Sequence, residues 1–267
     1  MANITKKELL IVGNIIGLAL TLFVNFLANA LPINGKTTAE LSDSYPNLFV
    51  PAGYVFAIWG AIYILLSIFV VFQALPKNRN DEFHNQISGL FIISSLTNSL
   101  WIFLWHYEQV LFSLITMLVL LASLIIIYWR LEIGLNPVPL NLKLAVHTPF
   151  SIYLGWITVA TVANVTAFLV SINWDGFGIS EAIWTWIVLS VATIIAVIII
   201  LQRKDITYTL VPIWAFVGIF IKQIENVMEV SFYAAFCALI LVILLAARPA
   251  YEKYKSQISS RGSYGKL

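Results

Sequence analysis

The chain has 267 residues, 60% hydrophobic and only 10% charged, where a soluble domain carries roughly 25% charged residues. With a mean hydropathy of +0.91, it reads as a membrane protein with little soluble mass. A net charge of +2, placed in short loops and at the ends, gives no nucleic-acid surface, and the lone Cys237 excludes an internal disulfide or a multi-cysteine metal site.

A spanning helix needs about 20 mostly apolar residues. Eight segments meet this: 8–30, 52–75, 87–106, 109–130, 144–172, 181–202, 206–221 and 228–247. The expected fold class is therefore all-α, a polytopic membrane helix bundle with eight transmembrane helices. The first segment follows Lys6 and Lys7 and ends near Ala28-Asn29-Ala30, which looks like a cleavage site for a secretory signal. Its apolar run is longer than a usual signal core, so a retained first span is expected. The loop 31–50 is the longest between spans on its side, and it reads equally as a lid over a cavity or as a plain connector. Only His106 to Gln109 divide the third and fourth spans, which demands a tight hairpin. The seventh segment is short and contains Pro212, so it can be full, tilted or kinked.

Charge tests this count. With the N-terminus in the cytoplasm, Lys36 and Lys222 fall outside and the other 13 of the 15 basic residues inside. A multi-pass protein of the plasma (inner) membrane with both termini cytoplasmic is expected, its basic tail at 248–267 flexible and near anionic headgroups.

Three spans carry aromatic stripes at helical spacing. In 49–63, FVPAGYVFAIWGAIY, residues Phe56, Trp59 and Tyr63 stand at i, i+3 and i+7. Asn98, Trp101 and Trp105 repeat that spacing in the third span. Tyr153, Trp156, Ala160 and Asn164 form one stripe in the fifth. These faces read either as helix packing joined by Asn98 and Asn164, or as walls of a pocket in which Ala160 leaves room for a flat ligand. On the packing reading, Trp105, Trp129 and Trp174 are interfacial belt residues.

The order of these pieces resembles the TspO family, also called translocator protein, peripheral benzodiazepine receptor or tryptophan-rich sensory protein. Pro51, Tyr54, Phe56, Trp59 and Tyr63 look like its second-helix motif. Asn98 and Trp101 look like its third-helix Asn-x-x-Trp. Pro149, Tyr153, Trp156, Ala160 and Asn164 look like its fifth-helix motif. There are departures. Tyr54 replaces the usual Trp, Phe56 and Trp59 are one residue closer than usual, and the family's paired aromatics become Leu104 and Trp105. The resemblance covers 1–172 and implies a five-helix core. Residues 173–247 then read as three additional spans and 248–267 as the tail.

The resemblance further implies a ligand site for a flat hydrophobic molecule, a porphyrin or haem-like tetrapyrrole or a sterol. Its role would be sensing, sequestration or transport, with a homodimer left open and no required cofactor. The residues implied are Tyr54, Trp59, Tyr63, Asn98, Trp101, Phe112, Trp156, Ala160 and Asn164. Lys36 and His106 are weaker candidates at the mouth, and His147 reads as interfacial.

No catalytic or metal-binding residue is expected. No span holds a cluster of His, Asp and Glu, and His-Glu-x-x-His and Gly-x-Ser-x-Gly are absent. Porphyrin breakdown has been proposed for the family, with Trp59 and Trp156 as the residues implicated, but a dedicated enzyme is not expected. The alternatives are a small-molecule secondary transporter using Lys222, Glu225 and Glu229, or a non-catalytic partner subunit of a membrane complex. Residues 212–216 faintly echo the stretch from Pro51 to Trp59, an echo that chance also supplies.

Overall fold

The computed structural model describes residues 5–264, with side chains described through residue 249. Its elements in chain order are α1 (Lys6–Ala30), α2 (Thr38–Asp43), α3 (Ile58–Ala74), α4 (Phe83–Ile87), α5 (Leu90–His106), α6 (Val110–Arg130), α7 (Leu140–Leu142), α8 (Thr148–Ser171), α9 (Glu181–Arg203), α10 (Ile206–Gln223) and α11 (Met228–Tyr264). Every described element is helical. Among the described residues, seven helices are long and apolar enough to cross a membrane. The eighth apolar helix is α5, shortened because Ser88 adopts a positive φ of 49° and separates it from α4. The chain is an integral, multi-pass membrane protein.

Local chemistry explains the boundaries. Thr5 and Glu8 form a capping box that starts α1. Glu108 takes a positive φ in the three-residue hairpin between α5 and α6. A π-helical turn, Lys143–His147, precedes Pro149, which cannot donate a helical backbone bond. The fifth span therefore begins at Leu140 rather than 144. Pro212 lies inside α10 without ending it. The backbone of α11 is helical to Tyr264, where the sequence suggests a flexible tail, and residues 265–267 lie outside the described part.

Helices α1, α5, α6, α8 and α3 contact one another in a closed ring, with thinner junctions on either side of α3. Helix α10 packs against α8 and, with α9 and α11, forms the remaining layer. Asp205 joins the two parts. Its buried carboxylate accepts from Tyr128 Oη of α6 at 2.9 Å, from the Ser151 hydroxyl of α8, and from the Tyr208 N–H that begins α10.

Close helix approach needs small residues where little hydrophobic force acts between spans. On α1, Gly13 and Gly17 are four apart and face α5. A Cβ on Gly17 would lie 3.0 Å from Ser95 Cβ. Nearby, the Thr21 hydroxyl donates to the Ser95 carbonyl at 3.2 Å. Gly17→Leu is expected to force α1 from α5 and destabilise the bundle by roughly 1–3 kcal/mol. A lowered melting temperature of the detergent-solubilised protein checks this, with exposed Val12→Leu left unchanged.

Candidate ligand site

The site grows from the start of α3. Residues 53–57 form a 3-10 turn, which advances each side chain further round the axis than an α-helix does. Across this turn Phe56 and Trp59 both face α8. The Phe56 ring meets Trp156 edge-on at 5.9 Å, and Trp59 meets Trp156 and Tyr153 at 6.1 Å each. Tyr63, one turn on, stacks on Trp59 at 5.4 Å. The stripes of α3 and α8 therefore meet. The α5 stripe joins them from across the ring, with Trp101 stacked on Trp105 at 5.8 Å.

Two buried polar chains hold this cluster. Asn25 of α1 donates to Asn98 Oδ1 at 2.8 Å, and Asn98 donates to Tyr153 Oη at 3.1 Å. Trp101 Nε1 donates to Asn164 Oδ1 at 2.9 Å, and Asn164 Nδ2 donates to Ser113 Oγ at 3.1 Å. The indole N–H groups of Trp105 and Trp156 are buried without a partner among the described residues.

The cluster encloses two spaces. An inner cavity of about 40 Å³ is lined by Trp59, Trp101, Trp105, Trp156, Ala160 and Asn164, with Thr38 and Ser42 above. It exceeds the roughly 10–15 Å³ that a cavity needs to admit one water. A larger cleft of about 570 Å³ opens between α1, α2 and α3. Its aromatic wall is Phe56, Trp59 and Tyr63, and Asn25, Asn29 and Thr37 supply polar groups. Phe56, Trp59 and Thr38 border both spaces. Gly53 and Gly60 line the cleft with no side chain, and a Cβ on either would meet nothing within 4 Å.

Of the nine residues singled out in the sequence, Trp59, Trp101, Trp156, Ala160 and Asn164 line the inner cavity, and Tyr63 lines the cleft. Asn98 stands behind the cavity and orients Tyr153. Tyr54 and Phe112 do not join them. Tyr54 turns away within the 3-10 turn and packs edge-on against Trp214 of α10 at 5.4 Å. Phe112 is 55% exposed, because α6 turns Ser113, Thr116 and Met117 inward. Trp105 is buried at the cavity rather than placed in an interfacial belt. Asn25 and α2 escaped the sequence reading, since neither carries a stripe.

Helix α2 makes the loop 31–50 a cover. Thr38 and Ser42 project over the inner cavity, and Thr37, Thr38 and Ala39 border the cleft. Three ties hold the loop to the hairpin between α5 and α6. Asn34 donates to the His106 carbonyl at 3.0 Å, Lys36 pairs with Glu108 at 3.4 Å, and Tyr45 Oη donates to Glu108 at 3.5 Å. Burial, with Glu108 nearby, raises the Tyr45 phenol above its ordinary pKa, so it stays a donor at neutral pH. Lys222 of α10 pairs with Asp43 at 2.5 Å. Lys36 is thus engaged, and His106 is buried with Nδ1 on the Ile102 carbonyl. Glu225 and Glu229 are exposed, so the charged group of the transporter reading lines neither space.

Helix α10 also supports the wall itself. Trp214 Nε1 donates to the Val55 carbonyl at 3.0 Å, and the Ala52 N–H donates to the Gly218 carbonyl at 3.2 Å. A Cβ on Gly218 would lie 2.2 Å from Val55 Cγ2, so the approach requires glycine. The segment echoing Pro51–Trp59 therefore lies against it.

Exposed ion pairs contribute about 0.2–1 kcal/mol each. The double variant Glu108→Gln, Lys222→Gln is thus expected to raise amide hydrogen exchange across 37–45 by roughly two- to tenfold, leaving α6 unchanged. Exchange mass spectrometry reads this directly, and an unchanged rate would mean that these pairs do not hold the cover.

Among the described residues no group of three or more His, Cys, Asp or Glu could hold a metal ion. No curated protein and no solved structure is found to match the chain. A family model described as TSPO-like protein matches residues 10–247, reaching beyond residue 172, where the sequence motifs stop, and through α9 and α10 into α11. Membrane-spanning helices, a tryptophan-walled cluster and this match together show that the chain belongs to the TSPO-like protein family.

Proposed function

We propose that this protein binds a flat hydrophobic ligand, a tetrapyrrole or a sterol-like molecule, in the cleft between α1, α2 and α3. The role is sensing, sequestration or transport rather than catalysis. The observation that carries this reading is the aromatic wall of Phe56, Trp59 and Tyr63 facing an open space of about 570 Å³. Small-molecule sites span roughly 300–1,000 Å³ and combine apolar walls with a few polar groups. The inner cavity is too small for such a ligand unless Trp59 swings aside, so Trp59 is the shared partition. The distribution of Lys and Arg supports cytoplasmic termini, which puts the cover and the cleft mouth on the outer side.

Titrating the purified protein with protoporphyrin, read by tryptophan quenching, tests the assignment. Gly60→Phe fills the cleft from a position with free space and is expected to abolish binding while the melting temperature holds. Loss of the Trp59 face in Trp59→Ala is expected to weaken binding about tenfold, while Trp184→Ala, on a separate pocket, leaves it unchanged. Equal affinities across the three variants would refute the site.

A further inference from the structure

At the opposite end of the bundle, the start of α1 and the segment joining α3 to α5 enclose another cleft, of about 640 Å³. Its lining carries Lys6, Lys7 and Arg79 against one acid, Glu8, so three positive charges less one negative leave a net +2. Glu8 is occupied, because it accepts from the Thr5 N–H at 2.8 Å and from the Thr5 hydroxyl at 3.1 Å. Among the described residues none of the three cations makes an ion pair. Asn80, Asn85 and Ser88 border the same space, and their side chains make no hydrogen bond among the described residues. The cleft thus gathers cations and unspent donors from two separate elements.

The cleft is not purely polar. Leu10 and Ile11 form an apolar floor. On the other side of α1, facing away from the cleft, Leu9, Val12 and Ile16 are 60%, 52% and 62% exposed. A spanning helix that leaves such a face uncovered presents it to acyl chains. The cleft lies where α1 begins and α3 ends, which is the depth of the headgroups.

We propose that this cleft binds the phosphate of an anionic phospholipid. Lys6, Lys7 and Arg79 neutralise the charge, and the amides and hydroxyl donate to the phosphate oxygens. The continuity of the charged rim with an apolar floor favours a lipid over free phosphate, which would gain nothing from Leu10 and Ile11.

The test uses the full chain in a zwitterionic detergent, titrated with fluorescently labelled phosphatidylglycerol and phosphatidylcholine. Phosphatidylglycerol is expected to bind more tightly. The variant Lys6→Gln, Lys7→Gln, Arg79→Gln is expected to lose at least about tenfold in affinity for it, and a control, Arg130→Gln, Lys143→Gln, Arg248→Gln, less than about twofold. Equal losses in both would show diffuse surface attraction and overturn the site, as would no loss in either. Complete displacement of the lipid by excess inorganic phosphate would overturn the lipid in favour of the free anion. Should the triple variant not fold, exposed Arg79→Gln alone is expected to lose about threefold, and unchanged binding refutes the proposal.

Discussion

A polar side chain inside a bilayer must find a partner within the protein, because hydrocarbon offers none. That constraint organises this bundle. Asn25, Asn98 and Tyr153 link α1, α5 and α8, while Trp101, Asn164 and Ser113 link α5, α8 and α6. Asn14 donates to Gln73 at 2.8 Å and closes the far end of α1 onto α3. Leaving one buried member unpaired costs about 1–3 kcal/mol. The two longer chains therefore hold α1, α5, α6 and α8 in register, and the aromatic rings those helices carry inherit that register.

The first turns of α3 are held differently. Between Ile58 and Tyr63 no side chain hydrogen-bonds to a neighbouring helix among the described residues, and the Tyr63 hydroxyl is buried without a partner. Ring contacts with Tyr153 and Trp156 and the backing of α10 hold this segment. Edge-on aromatic contacts tolerate sliding far better than a hydrogen bond does. The cleft thus lies between a rigid helix, α1, and a wall segment with softer restraints. A partition residue such as Trp59 needs that combination if it is to move without unfolding the bundle.

Much of this was legible in the residues. Apolar length marked eight helices, because a bilayer sets length directly. Helical period put Trp59, Trp101, Trp156, Ala160 and Asn164 on single stripes, the resemblance made those stripes pocket walls, and they converge on one cavity. Where the structure places a residue elsewhere, the cause is local. Tyr54 was implied by the resemblance to the second-helix motif, but within its 3-10 turn it faces α10. Phe112 was implied by its place near a pocket aromatic of the family, whereas its neighbour Ser113 takes the inward face. Trp105 fitted either its stripe or an interfacial belt, and the cover formed by α2 and Tyr45 buries it, with Tyr45 and Trp105 rings 5.6 Å apart. Asn25 and α10 join the site through contacts distant in sequence, which no periodicity encodes.

The support that α10 gives to the start of α3 imposes an order on biogenesis. The wall stretch is translated more than 150 residues before its buttress, since Val55 and Trp214 are separated by 159 positions. Until α10 enters the membrane, the Val55 carbonyl lacks its indole donor and the groove that Gly218 fits stays open. The aromatic wall is among the first parts of the chain to be synthesised and among the last to acquire its final neighbours. A nascent chain that has threaded only α1 to α8 thus carries every cavity-lining aromatic but not the architecture that aligns them.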